Sequence, residues 1–322
     1  MFKVEPYHVG LREEWDDFVR ESRNGTFLFE RGYMDYHAQR FEDASLLFRD
    51  REGEVVALLP ANRAGDLISS HDGLTYGGLV LGLKARTHDV LGLLHVALEY
   101  YAASDVTSLT YKCVPRIYHR LVSEDDLYAL FCVNAILTRR DVSSTVQPAG
   151  RPAPQARRLR GARKARSMGV SVCESADFAS FWPVLQEALS GRHGVQPVHS
   201  LEEISLLAVR FPAAIRLFTA LDDGRVVAGV VIYETPLVAH AQYIGSNERG
   251  KRVAALDLLF EELIGVAYRE KRYFDFGIST QGRGTELNVG LIDYKEGFGA
   301  TATVHDFYRI DLGPQLWRTH GS

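Results

Sequence analysis

Two residues able to carry a proton lie on predicted strands in the second half of the chain. His240 lies between two alanines in an apolar run, so the alternation of a strand points its imidazole to one face of a sheet. Asp275 lies between two phenylalanines in a short buried strand, where an unpaired carboxylate is costly. Each has two interpretations: His240 is a general base or a core histidine, and Asp275 is paired for stability or used in recognition.

A polar glycine loop at residues 245–252 follows the strand that carries His240. A glycine loop that opens a helix leaves unpaired backbone N–H groups at the positive end of the helix dipole, where a pyrophosphate can bind. Here the anion is expected near Gly250, with Lys251 and Arg252 beside it. Tyr243 and Ile244 end the strand just before this loop and are also candidates for binding the cofactor.

The elements around these residues predict one βαβ crossover. Apolar runs at 226–234 and 237–244 form a predicted hairpin, helical spacing follows from residue 253, and a short strand returns at 273–278. The first 150 residues repeat this order, including a strand at 74–81 that Gly77 and Gly78 interrupt. The sequence therefore predicts an α/β (α+β) chain of two domains, 1–150 and 151–322, each with a mixed sheet flanked by helices.

A basic segment joins the two predicted domains. Residues 147–154 hold three prolines and are interpreted as a linker, which leads into a predicted joining helix at 155–168. Arg157, Arg160 and Lys164 share one face of that helix. The stripe is suited to a nucleotide diphosphate or a tRNA acceptor stem, or it is a solvated helix face.

Three further candidates lie in loops or beside glycines. His193 and His199 lie in a predicted loop where an acceptor can enter, or they are simply solvated. In the first domain, His71 and Tyr76 lie beside backbone-exposing glycines and are candidates for binding a sugar or a nucleotide.

Composition excludes several classes of protein. The 322 residues carry a formal net charge of −4, so the chain is not a DNA-binding polycation. Its three cysteines have no CxxC spacing, so neither a disulfide framework nor a metal site is indicated. With no long apolar run and no signal-peptide pattern, we expect a reduced, cytoplasmic protein without integral membrane association.

The sequence resembles the FemAB-like branch of the GNAT acyltransferases. The resemblance rests on the basic joint RRLRGARKARSMGV, the strand–loop–helix above and the closing segment LNVGLIDYKEGFG, in which Lys295 to Gly299 is the most specific part. It implies two tandem GNAT domains joined by a basic helix. The pyrophosphate signature of ordinary GNATs is partly met, with Asn247 in its first position, Gly250 matching, and Arg252 where a small residue is usual.

The resemblance also implies roles for individual residues. Lys295 is expected to neutralise an oxyanion or a substrate phosphate, or else to cap its helix, and Asn288 shares that helical face. Glu234 ends the strand before the donor strand, where GNAT enzymes often keep a carboxylate, unless it is a solvated hairpin residue. The candidate bases are therefore Glu234, His199 and His240.

The function predicted from these features is N-acyl transfer, and N-acetyl transfer in particular. The donor is acetyl-CoA or another acyl-CoA, and the acceptor is a primary amine, plausibly a nucleotide-linked amino sugar in surface polysaccharide biosynthesis. The alternatives are a tRNA-dependent aminoacyl transferase acting on a peptidoglycan precursor and a non-catalytic GNAT pair. The sequence leaves the acceptor, the acyl length and the oligomeric state open.

Overall fold

The structure, a computed structural model, describes residues 2–193 and 196–312, with the backbone alone for 191–193. The described residues form two compact units. Of the described residues, the first takes 2–141, 283–285 and 304–312, and the second takes 142–193, 196–282 and 286–303. The sequence places the domain boundary at residue 150, whereas the first unit ends at residue 141. That unit also includes residues 304–311 of the last described strand.

Strands and helices alternate along the described chain. The strands are β1 Lys3–Pro6, β2 Glu42–Asp43, β3 Leu46–Arg49, β4 Val55–Leu59, β5 Asn62–Ala64, β6 Leu67–Ser69, β7 Val80–Leu81, β8 Ser108–Lys112, β9 Ile136–Val146, β10 Ser171–Ser175, β11 Ile215–Asp222, β12 Arg225–Glu234, β13 Val238–Ser246, β14 Tyr273–Ile278, β15 Thr280–Gln281, β16 Glu286–Leu287 and β17 Thr301–Asp311. The α-helices are α1 Arg12–Glu21, α2 Arg31–Met34, α3 Thr87–Ala102, α4 Asp125–Cys132, α5 Ala156–Ser167, α6 Phe178–His193, α7 Leu201–Arg210, α8 Glu248–Val253, α9 Ala255–Glu262 and α10 Val289–Glu296.

The second unit is built on a mixed sheet. Its strands follow the order β10, β11, β12, β13, β14 and β9, of which β13 and β14 are parallel and the other neighbours antiparallel. Phe260 of α9 packs its ring against Phe274, Phe276 and Phe298, because α9 turns its apolar stripe to the sheet. The predicted hairpin and βαβ crossover are both present, and the predicted basic helix is observed as α5.

The first unit contains two sheets. One has the order β1, β3, β4, β7, and the other runs from β17 through β8, β6 and β5 to β2. In the second of these, β6 and β8 are parallel over three residue pairs, 67–69 with 108–110. Beyond the end of β6 the chain continues to form hydrogen bonds with β8. Ser70 N–H donates to Thr110 O at 2.8 Å, and Gly77 N–H donates to Lys112 O at 3.2 Å.

The strand predicted at 74–81 is wrong for its first six residues, because only Val80–Leu81 form a strand. A Cβ on Gly77 would lie 1.7 Å from the carbonyl oxygen of Ser70, and Gly78 has a φ of +79°. The segment is therefore curled against itself, and the backbone approaches closely at these glycines.

None of the helices described in residues 2–193 and 196–312 has the length and apolar character needed to cross a membrane.

Helices α5 and α9 approach closely at one glycine. A Cβ on Gly161 would lie 1.9 Å from Asp257 Oδ2, a carboxylate that also binds the Arg158 guanidinium at 2.5 Å. Burial raises the pKa of Asp257, while Arg158 opposes the shift. Gly161 therefore makes room for an ion pair between the two helices.

Replacing Gly161 with Ala should lower the free energy of unfolding by about 2 kcal/mol, the usual cost of overpacking a close contact. Gly265→Ala is the matched control, since a Cβ there meets nothing within 4 Å. That change should leave stability unchanged or raise it by up to about 1 kcal/mol through helix propensity. Urea unfolding measures both variants, and equal stabilities would contradict the close approach.

Candidate active site

The parallel pairing of β13 and β14 stops part-way along both strands. Residues 238–240 pair with 273–275, yet β13 continues to Ser246 and β14 to Ile278. On the other side of β13, a register shift in the pairing with β12 leaves Gln242 without an opposite residue. The two central strands therefore diverge just beyond His240 and Asp275, which are the last pair of the ladder.

Asp275 is fully buried and its carboxylate is held by three side chains. Its Oδ1 accepts hydrogen bonds from Ser143 Oγ at 2.5 Å and Thr145 Oγ1 at 2.9 Å. Its Oδ2 lies 2.7 Å from Nδ1 of His240. Ser143 and Thr145 alternate on β9, so both hydroxyls lie on the sheet face that Asp275 occupies. A buried carboxylate needs such partners, because losing water without replacement is costly.

His240 is oriented by this carboxylate. With Nδ1–H donating to Asp275, the imidazole presents Nε2 as the nitrogen that can accept a proton. Nε2 has no hydrogen-bond partner among the described residues, and the side chain is 10% exposed. Gly277 stands against the ring, since a Cβ there would lie 3.4 Å from Cε1 of His240. The arrangement is that of a general base with an orienting carboxylate.

Lys295 lies on α10 and bonds the end of β14. Its Nζ donates to the carbonyl oxygens of Gly277 and Ile278, both at 2.8 Å, and to Ser279 Oγ at 2.9 Å. Burial lowers the pKa of Lys295 to about 8, and the nearby charge of Asp275 opposes that shift. His240, Asp275 and Lys295, predicted from separate stretches of sequence, thus lie in one cluster.

A family model described as Acetyltransferase (GNAT) domain matches residues 155–296, which include every strand and helix from α5 to α10. This segment is similar to GNAT acetyltransferase domains. The prediction of a GNAT-type acyltransferase is confirmed by the match. The fold of a GNAT domain implies acyl-CoA as the co-substrate.

The fold of the whole chain is that of tandem GNAT proteins. FemX aligns over 94% of this chain and 96% of its own, with 12% identity and a TM-score of 0.67. L-PGS from Bacillus licheniformis aligns over 94% and 93%, with 13% identity and a TM-score of 0.60. A tandem GNAT protein from the clavulanic acid biosynthesis pathway aligns over 98% and 99%, with 14% identity and a TM-score of 0.53. The predicted FemAB-like fold with two GNAT-like domains is confirmed.

A search of curated protein sequences finds no match.

The residues predicted to bind the donor flank the start of α8 in the GNAT domain. Asn247 caps α8, since its side chain accepts the N–H of Gly250 at 2.9 Å. A Cβ on Gly250 would lie 2.3 Å from the carbonyl oxygen of Val227, which explains the glycine. Lys251 pairs with Glu248, whereas the Arg252 side chain is exposed and has no partner among the described residues.

On β13 itself, Ile244 packs against the core and Tyr243 is buried. The hydroxyl of Tyr243 accepts the backbone N–H of His199 at 3.2 Å and lies 2.5 Å from the Nδ1 of that residue. Burial raises the pKa of Tyr243 to about 12. His199 is therefore engaged by Tyr243 and buried, and the structure does not bring it to His240.

Glu234, the third candidate base, lies in an ion-pair network. Its two oxygens lie 3.2 Å from a guanidinium nitrogen of Arg216 and 2.9 Å from Nζ of Lys271. Both carboxylate oxygens are therefore occupied by ion pairs.

The predicted acceptor-binding residues are dispersed. Asn288 caps α10 by accepting the N–H of Leu291 at 3.1 Å. Arg157 donates to the carbonyl oxygen of Asp293, and Arg160 is exposed without a partner among the described residues. Their roles in substrate binding stay predictions.

The remaining acceptor candidates are buried in the first unit or lie outside the described residues. In the first unit Tyr76 is buried and donates to Thr26 Oγ1 at 3.1 Å, and His71 is buried with a φ of +68°. The side chain of His193 lies outside the described residues. Within the described ranges, no group of three or more His, Cys, Asp or Glu side chains is arranged to hold a metal ion.

Sequence reasoning missed Ser143, Thr145, Gly277 and Ser279. The sequence did contain a signal for two of them. Ser143 and Thr145 lie two residues apart in the polar strand predicted at the end of the first domain, so their hydroxyls share one face of that strand. A buried Asp275 needs donors, and alternating hydroxyls on a neighbouring strand are suitable ones. The order of strands in the sheet was the missing information.

The pH dependence of stability should report the burial of Lys295. Its folded pKa of about 8 lies below the unfolded value of about 10.4, so the unfolded chain binds more protons between these values. The contribution of this group to stability therefore rises as pH increases through that window. Urea unfolding at about pH 7.5 and pH 9.5 should show wild type gaining stability relative to Lys295→Met, and parallel pH profiles would contradict the shift.

Proposed function

We propose that the GNAT domain moves an acyl group from acyl-CoA to a primary amine, with His240 as the general base. The observation that carries the proposal is the hydrogen bond from His240 to Asp275 at the point where β13 and β14 diverge. It offers an oriented Nε2 beside a gap between two strands. Both oxygens of Glu234 are engaged by cations, and His199 is buried with its Nδ1 against the Tyr243 hydroxyl.

The residues around the gap fit an acyl-CoA donor. Beyond His240, β13 has no strand partner on the β14 side, so its backbone groups are suited to an extended chain such as pantetheine. Asn247 already accepts the N–H of Gly250, which leaves the amides of residues 248 and 249 for a phosphate. Neither amide has a partner among the described residues. The exposed Arg252 lies on the same short helix and adds positive charge.

The chain's own contribution to the reaction is the handling of one proton. An amine acceptor arrives as an ammonium ion, and His240 Nε2 removes a proton so that the nitrogen lone pair can attack. Asp275 stabilises the imidazolium that results, and it keeps Nε2 rather than Nδ1 toward the acceptor. The acyl-CoA supplies the activated carbonyl. As the C–N bond forms the C–S bond breaks, and the second proton lost by the attacking nitrogen passes to the departing thiolate.

The finer proposal is N-acetylation of an amino sugar in surface polysaccharide synthesis. It is tested by a thiol-release assay with acetyl-CoA and a panel of free and nucleotide-linked amino sugars. A panel of other primary amines is the comparison. Release that depends on an amino sugar supports the finer proposal, and release with other amines alone would reject it.

Calorimetric titration with CoA should give about one site per chain at micromolar affinity. One site is expected because, among the described strands, the gap lies in the second unit, whereas residues 70–79 bond to β8 in the first unit. Absence of binding would reject acyl-CoA as donor, and charged tRNA would be the next ligand to titrate. Two sites per chain would contradict the difference between the units.

Asp275→Asn and His240→Gln should each lower kcat about 100-fold or more, the usual contribution of general base catalysis. The affinity for CoA should be unchanged in both, because neither side chain is assigned to the donor. His88→Gln, a change at an exposed histidine of α3, is the control and should retain full activity. Wild-type turnover in His240→Gln would remove His240 from the chemistry.

A further inference from the structure

The end of β14 is bonded by a side chain where a neighbouring strand would ordinarily bond it. The carbonyl oxygens of Gly277 and Ile278 are the last two of the strand, and both accept from Lys295 Nζ at 2.8 Å. The third proton of the ammonium goes to Ser279 Oγ. Lys295 is 3% exposed, so water does not share these bonds. All three donors of the ammonium are therefore committed to residues 277–279, two to backbone carbonyls and one to a side-chain hydroxyl.

A physical requirement explains the arrangement. The carbonyl groups of Gly277 and Ile278 are partly buried, and the parallel ladder with β13, which could otherwise supply donors on that side, ends at Asp275. Without another donor, the carbonyls beyond that point would favour renewed pairing with β13, which would close the gap. The Lys295 ammonium replaces the missing donors from the side of α10.

The end of β14 that Lys295 bonds also lies beside the candidate base. Gly277 has a φ of +77°, a left-handed conformation. A Cβ at this residue would lie 3.4 Å from Cε1 of His240, so the backbone here borders the imidazole. The next residues are fixed in turn, since Ser279 N–H donates to Val142 O at 2.7 Å and Asn288 N–H to Ser279 O at 2.9 Å. Lys295 thus controls the backbone that borders both the gap and His240.

We propose that Lys295 is a positioning residue that holds β14 away from β13 and so keeps the gap open for the donor. In this role its Nζ bonds the backbone and does not contact the reacting carbonyl. The proposal rests on the proposed function in that the gap is taken to receive acyl-CoA. It differs from the role expected from sequence, in which the lysine neutralises an oxyanion.

The two roles predict opposite kinetic effects of Lys295→Met. A brace predicts that the Kd for CoA and the KM for acyl-CoA rise about tenfold or more, with kcat at saturation changed less than about threefold. A cation on the oxyanion predicts a fall in kcat of about 100-fold or more with an unchanged Kd, and that result would overturn the proposal.

Lys271→Met is the matched control. Lys271 also bonds backbone carbonyl groups in this unit, donating to Thr235 O at 2.7 Å, but it does so before the first residue of β13. It should leave the Kd for CoA within about threefold of wild type, because it lies at the paired end of the strand. An equal loss in both variants would assign the effect to general destabilisation and overturn the proposal.

Hydrogen exchange tests the brace without any ligand. In Lys295→Met the amides of Ser279 and Asn288 should exchange about tenfold faster or more, while the paired residues 230–233 of β12 keep their wild-type rates. Unchanged exchange at Ser279 and Asn288 would overturn the proposal. The proposed function has a separate test: it is rejected if the wild-type protein does not bind CoA.

Discussion

The buried carboxylate of Asp275 is the constraint on which the second unit depends. A charge at the centre of a sheet is tolerable only where several donors surround it, and here two hydroxyls and an imidazole do so. The hydroxyls require β9 to lie beside β14 in one register, and the imidazole requires β13 on the other side in another. The network therefore specifies strand order and orients a chemically useful nitrogen at the same time.

The second constraint is the ending of a parallel ladder inside a sheet. Strands that stop pairing while still buried leave carbonyl groups without donors, and each unit supplies those donors from a lysine. Lys295 bonds the last two carbonyls of β14, and Lys112 bonds the carbonyls of His71 and Leu74 beyond β6, at 2.9 and 3.1 Å. Burial lowers the pKa of both lysines to about 8. The shared arrangement fits the internal repeat seen in the sequence.

Much of the fold followed from periodicity, and less of the site did. The β12–β13 hairpin, helix α9 and the strand with Asp275 lie where apolar spacing predicted them, because local spacing specifies local structure. The loop predicted at 245–252 is wrong, since β13 extends to Ser246 and α8 begins at Glu248. The partners of Asp275 come from a strand about 130 residues earlier, and no local pattern encodes which strands become neighbours. Glu234 was a reasonable base from its position, but Arg216 and Lys271 neutralise it from distant positions. The strand at 74–81 was misassigned since apolar residues near paired glycines also suit a curled segment.

The curled segment of the first unit has a consequence for how the two halves of a duplicated fold can diverge. Residues 70–79 form hydrogen bonds with Thr110, Tyr111 and Lys112 of β8. A segment of the same chain therefore already occupies this edge of β8. An attached segment acts at a high effective concentration, and any free ligand competes with it at a disadvantage. The first unit can therefore stay folded and rigid without a ligand. Its loops are then free to change in sequence, while the second unit keeps the open edge that chemistry requires.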